Sequence, residues 1–333
     1  MTSFPTDPAR RRLLRGAALA AAGTTLPFLP LVAQAQSLFA KQPITLLVPY
    51  PAGGATDVQA RALALAASRE LKQQIVILNQ PGVAATLAPT TMARKAAPDG
   101  YTLSLMLSSL YRLPHLQKVS YDPAVDFTYV ANVTAATLGI TVRQDAPWKD
   151  LNALLAAAKA KPGEISYGTT GRGGTSHVSM ERLAALAGVK FNFIPFKGAA
   201  ELYNALMGGH VDAVSEAGFG AAVAGGRVRL LATFNEARSP NRQNVPTAKE
   251  LGYDVVANGS WGIAGPRGMD PKVVQALQEA FRKAVDDPEF VRTLELNDYV
   301  KFYMDSPAYT AWAHKTYADE KRFVSDLRIK LDD

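Results

Sequence analysis

Two stretches of the chain, PAGGATD at 51–57 and GRGGTSH at 171–177, set glycines and hydroxyl groups directly ahead of amphipathic runs. Glycine allows backbone conformations closed to other residues and leaves the neighbouring N–H groups uncovered. A helix starting at that point adds its unpaired first-turn N–H groups and the positive end of its dipole. Such a cradle holds a carboxylate or phosphate by charge and hydrogen bonding, without bond-making. The residues that could take part are Tyr50, Gly53, Gly54, Ala55, Thr56 and Asp57 in the first loop. In the second they are Thr170, Gly171, Gly173, Gly174, Thr175, Ser176 and His177. One loop of this kind is also an ordinary strand–helix turn. Two of them suit a ligand with two anionic ends, gripped from two sides.

Two further stretches could add to that grip. In SSLYRLPH (108–115), Ser108 and Ser109 stand at a predicted strand end, Arg112 could bind a carboxylate through two N–H groups, and Tyr111 could form an aromatic wall. A solvated loop arginine and a packed tyrosine account for the same letters. IPFKG (194–198) puts Phe196 and Lys197 at another strand end, where Lys197 would add positive potential or point to water.

Several chemistries find no support. The chain has no cysteine, so disulfides, thiolate metal sites and cysteine nucleophiles are excluded. Its four histidines show no metal-ligand spacing, so no metal is expected, and no G-x-S-x-G elbow occurs. A dinucleotide fingerprint would need a third glycine where Ser176 stands and an acid where Lys197 stands; a G-x-x-x-x-G-K-[ST] loop is also missing. No cofactor is expected. His177 suits a contact to backbone or ligand better than proton transfer, and Trp148, Trp261 and Trp312 read as packing residues. The expectation is a binding protein and not an enzyme.

The elements that must position these loops follow from the pattern. Strands ITLLVPY, IVIL and YTLSLML alternate with helical runs, the first of them at 56–72, where Val58, Leu63, Leu65 and Leu71 are apolar and Thr56 or Asp57 could cap. A second βαβαβ series follows FTYVANVTAATLGITVR, and two amphipathic helices close the chain. This alternation predicts an α/β protein of doubly wound parallel sheets. Extended crossings near 130–140 and 229–234 predict two lobes: residues 36–133 with 233–333, and an inserted lobe of residues 134–232. Two hinge strands would join them around a cleft at the carboxyl ends of the sheet strands.

The 333 residues carry a net charge of +7, with 48% hydrophobic and 20% charged residues. The first 35 hold four Arg and one Asp, an apolar stretch at 16–32, and Ala33-Gln34-Ala35, the order of a signal peptide cleaved after Ala35. Arg10-Arg11-Arg12-Leu13-Leu14-Arg15 fits the twin-arginine export pattern. Without that segment 32 basic and 28 acidic residues leave +4, scattered rather than clustered. A nucleic-acid partner is therefore not expected, and a periplasmic protein is.

The motifs VPYPAGGATD, NQPGVAAT, APDGYTL, YDPAVDFTYV, YGTTGRGGTSH, PFKGAAE, LMGGHVDA, VPTAKELGY and GIAGPRGMDP occur in one order along nearly the whole mature chain. In this the sequence resembles the Bug family, the extracytoplasmic solute receptors of tripartite tricarboxylate transporters. The resemblance implies a type II periplasmic-binding-protein fold, no catalysis, and an organic acid held between the lobes by the loops at 51–57 and 170–177. It further implies a monomer that delivers its ligand to membrane permease subunits; an orphan sensor with a signalling partner, or a secreted hydrolase or lyase on the same scaffold, are the alternatives. The segment 108–115 departs from the family pattern, so Tyr111 and Arg112 are expected to adapt the cleft, with a dicarboxylate or an aromatic carboxylate as ligand.

Overall fold

The computed structural model describes Phe39 and residues 42–257 and 259–327. The export signal read at 1–35 lies outside the described residues.

Two mixed sheets form the framework. The first orders its strands β2-β1-β3-β10-β4-β11: β1 (Ile44–Val48), β2 (Ile75–Asn79), β3 (Thr102–Leu107), β4 (Phe127–Ala136), β10 (Gly259–Pro266) and β11 (Tyr299–Met304). Strands β1, β2 and β3 pair in parallel, whereas β10 runs antiparallel to both β3 and β4. The second sheet is β7-β6-β8-β5-β9, from β5 (Gly139–Arg143), β6 (Ser166–Thr170), β7 (Asn192–Phe196), β8 (Ala213–Glu216) and β9 (Val228–Thr233). Here β6 lies parallel to β7 and β8, and β5 antiparallel to β8 and β9. The fold is thus two α/β lobes. The chain leaves the first sheet after Ala136 and enters the second at Gly139; on the way back, Phe234 N–H donates to the Leu138 carbonyl at 2.9 Å. The two crossings are therefore hydrogen-bonded to each other.

Helices cover the sheets as the alternation requires: α1 (Ala55–Leu71), α2 (Leu87–Lys95), α3 (Ser109–Leu116), α4 (Leu151–Ala160), α5 (Thr175–Ala187), α6 (Ala199–Met207), α7 (Gly220–Ala224), α8 (Pro271–Ala284), α9 (Pro288–Leu296) and α10 (Ser306–Leu327). Their starts are written in the sequence. Asp150 accepts from Ala153 N–H at 2.8 Å, and Asp270 and Asp287 cap helices whose first residue is proline.

Two local expectations change. On α1 the buried face is Ala60, Leu63, Ala64, Ala67 and Leu71, while Val58 and Leu65 are exposed. Small alanines let the helix lie close to the sheet, which a count of large apolar residues overlooks. Neither Thr56 nor Asp57 caps α1, because the helix already begins at Ala55 with Gly54 in the cap position and no side-chain cap bond. None of the described helices is long and apolar enough to cross a membrane.

Candidate ligand-binding site

Parallel strands deliver their carboxyl ends to the space between the lobes, and the helices that follow present their amino ends there. A cavity of about 360 Å³ occupies this space, of a size for small ligands. Of the residues singled out in the sequence, Tyr50, Gly54, Ala55, Thr56, Ser108 and Ser109 line it from the first lobe. Thr170, Gly174, Thr175, Ser176 and Lys197 line it from the second.

The others stand behind it. Gly53 (φ 84°) turns the chain, and its N–H donates to the Asp57 carboxylate at 2.9 Å. Asp57 also accepts from Arg61 Nε and Asn79 Nδ2, both at 2.9 Å. Burial alone would raise the Asp57 pKa, but the bonds from Arg61, Gly53 and Asn79 hold it below the ordinary value. In the second loop Gly173 (φ 80°) makes the same turn, and its N–H donates to Nδ1 of His177 at 3.1 Å. His177 packs on Phe193 with ring centroids 4.1 Å apart. Burial, then the charges of Arg172 and Arg112, lower its pKa to about 4, so the ring is neutral at pH 7. Gly171 N–H donates to the Phe196 carbonyl at 3.1 Å, and the Phe196 ring packs against Gly168.

Two roles require correction. Tyr111 is fully buried in an aromatic cluster, its hydroxyl 3.1 Å from that of Tyr309 and its ring edge-on to Trp312. It forms no wall of the cleft. Residues 109–116 are helical, and that geometry turns Tyr111 toward α10. Arg112 does not offer its fork to the cavity either. Its Nε and Nη2 donate to Glu320 at 2.8 and 2.6 Å, and its Nη1 reaches Thr175 Oγ1, in the other lobe, at 3.3 Å. Arg112 therefore acts on the cleft through Thr175.

Sequence reasoning missed Glu216, Ser260, Trp261 and Tyr299, all of which line the cavity. Glu216 ends β8 beside Thr170 on β6, a strand-end position that the βαβ alternation could have flagged. Its Oε2 accepts from Thr170 N–H at 2.8 Å and from the Thr170 hydroxyl; its Oε1 accepts from Ser176 Oγ and Ala217 N–H, both at 3.0 Å. Burial raises its pKa against the pull of these bonds. Trp261 is 1% exposed, and its indole N–H has no partner among the described residues. Burial, with the nearby Glu216 charge, also raises the pKa values of Tyr50 and Tyr299, so both phenols stay protonated.

The lobes meet where the second presents glycine. A β-carbon on Gly171 would lie 3.1 Å from Ala84 Cα, one on Gly198 3.0 Å from Pro51, and one on Gly218 2.7 Å from the β-carbon of Ala55. The glycines at these positions allow two backbones to approach closely.

Residues 59–329 match the tripartite tricarboxylate transporter family receptor, TctC. The chain belongs to this family. The receptor is 40% identical over 322 residues to the "UPF0065 protein in gbd 5'region" of Cupriavidus necator, covering 96% of this chain and 98% of that one. Among solved structures it is similar to the periplasmic binding protein BugD, with 27% identity, a TM-score of 0.82, and coverage of 87% and 99% of the two chains. MatC of Rhodopseudomonas palustris, solved with bound malate, gives 27% identity and a TM-score of 0.78 over 86% of this chain and 100% of that one. The family places the chain among Bug-type periplasmic solute-binding receptors, which are not enzymes.

Proposed function

We propose that this receptor captures a small organic acid between its lobes and delivers it to the membrane permease subunits of a tripartite tricarboxylate-type transporter. One observation carries the reading: two strand–glycine–helix loops, one from each lobe, open their helix amino ends onto the same cavity. The first-turn N–H groups of α1 and α5, at helix starts without a side-chain cap bond among the described residues, suit a carboxylate. Malate in MatC supports an acid of dicarboxylate size. An aromatic carboxylate is the second ligand class, and the support for it now comes from Tyr50, Trp261 and Tyr299 along the cavity wall. The lobes would work as residues 36–133 with 233–333 and an inserted 134–232, exported to the periplasm through residues 1–35.

A ligand touching both lobes favours their closure, because only the closed arrangement makes both sets of contacts. Excluding water then strengthens the fixed N–H dipoles around the anion. The test is calorimetric titration of the purified protein with aliphatic di- and tricarboxylic acids, benzoates and neutral sugars. Saturable binding confined to acids is expected. Binding of no acid, or of sugars equally well, would overturn the reading.

A further inference from the structure

The cavity wall is not symmetric in hydrogen-bonding sense. An ionised carboxylate has about four acceptor positions, and at Glu216 four donors fill them: Thr170 N–H and O–H, Ser176 O–H and Ala217 N–H. Thr170 and Ser176 have therefore spent their hydroxyl protons on Glu216. What these two cavity-lining residues have left to offer is lone pairs, with the Tyr50 hydroxyl already beside the Thr170 side chain. Among the described residues no cation pairs with Glu216, whereas Asp57, behind the first loop, is paired with Arg61 at 2.9 Å. The wall at Thr170 and Ser176 is therefore electron-rich, over a carboxylate that no cation answers.

Other parts of the wall have the reverse character. The first turn of α1 supplies N–H groups with no side-chain cap, and Trp261 adds a buried indole N–H that has no partner among the described residues. Thr175 accepts from Arg112, so its own proton is free to donate. A ligand carboxylate belongs with these donors and the backbone N–H groups at the start of α5, and away from the Thr170 and Ser176 hydroxyls over Glu216.

Resting on the function proposed above, we infer that the receptor selects acids that carry a hydrogen-bond donor, a hydroxyl or an ammonium group, to meet the lone pairs of Thr170 and Ser176 over the Glu216 carboxylate. Because Thr175 and Ser176 are chain neighbours facing opposite demands, the donor sits close to the carboxylate on the ligand. Glu216 is a positioning residue: it sets which way the two hydroxyls point.

Matched sets of diacids that differ only in the donor test this by calorimetry: succinate, malate and aspartate, with the corresponding five- and six-carbon sets. In at least one set the hydroxy or amino acid binds at least about tenfold more tightly than the plain diacid, the ratio that one net hydrogen bond corresponds to. Glu216→Gln introduces an amide that donates, turns a neighbouring hydroxyl round, and shifts the preference toward the plain diacid. Ser176→Ala, which leaves the carboxylate in place, lowers the ratio by weakening the hydroxy and amino acids more than the plain diacid. Unfolding midpoints without ligand show that each variant folds. Equal binding of every member of each set, or variants that weaken all acids by one common factor, would overturn the inference and leave the receptor reading intact. If no acid of any set binds, and benzoates fail too, both fall together.

Discussion

The two glycine loops are built alike and finished differently. In each, a glycine N–H is tied to a side chain four residues on, which is Asp57 in the first lobe and His177 in the second. The first tie is an anion neutralised by Arg61; the second is an uncharged imidazole packed on Phe193. Besides its own Arg172, over the Phe193 ring, the second loop has charges behind it, with Arg112 behind Thr175 and the Glu216 carboxylate under Thr170 and Ser176. The same backbone device thus carries a neutralised ion pair in one lobe and a polarised surface in the other. Loop geometry comes from glycine and helix start, while the charge at each loop comes from what stands behind it.

The largest expected effect breaks the backing of the second loop. Arg112→Ala leaves Glu320 buried without its partner and should cost about 3–5 kcal/mol in urea unfolding. The double variant Arg112→Met with Glu320→Leu should recover most of that stability, yet bind acid more weakly because Thr175 has lost its donor. Full recovery of both properties would reduce Arg112 to a packing residue.

Acidification should separate the two ties. His177 has a folded pKa of about 4, below its ordinary 6.5, so the unfolded chain takes up the proton first. Its contribution is complete above pH 6.5 and is lost as pH falls toward 4, up to about 3 kcal/mol. Asp57, also lowered, loses its contribution only below its ordinary value of 3.8. The second loop should therefore loosen first, read as falling amide protection around residues 171–177 before 51–57 in hydrogen exchange. In His177→Gln that early loss should vanish; if it persists, the imidazole is not its cause.

A smaller effect tests the contact between lobes. Gly198 has extended backbone (φ −167°), which valine tolerates, but a β-carbon there would press on Pro51 of the first lobe. Gly198→Val should keep the unfolding midpoint and weaken acid binding by about tenfold, as a wedge that disfavours the closed arrangement. Unchanged affinity would show that closure does not depend on this contact.

Much of the framework was legible from alternation and punctuation. Strands β1 to β9 follow runs such as ITLLV and NFIPF, and proline, glycine and aspartate mark the helix ends. Strand β10 was not legible, because GSWGIAGP lacks the β-branched pattern and is held in place by pairing on both sides. Helix α3 was hidden by Pro114, which its last turn accommodates. The loop residues Gly54, Thr56, Gly174 and Ser176 could be named because glycine and helix-start chemistry are local.

Sequence by itself determined two α/β series, two glycine loops, the absence of any thiol chemistry and the family motifs, since each rests on residues close together in the chain. Only the tertiary structure decided that Tyr111 belongs to the core, that Arg112 answers to Glu320, 208 positions away, and that Glu216 lies beneath Thr170 and Ser176. A buried charge takes whatever partner the packing brings within hydrogen-bond reach, and sheet order sets that choice without regard to distance along the chain.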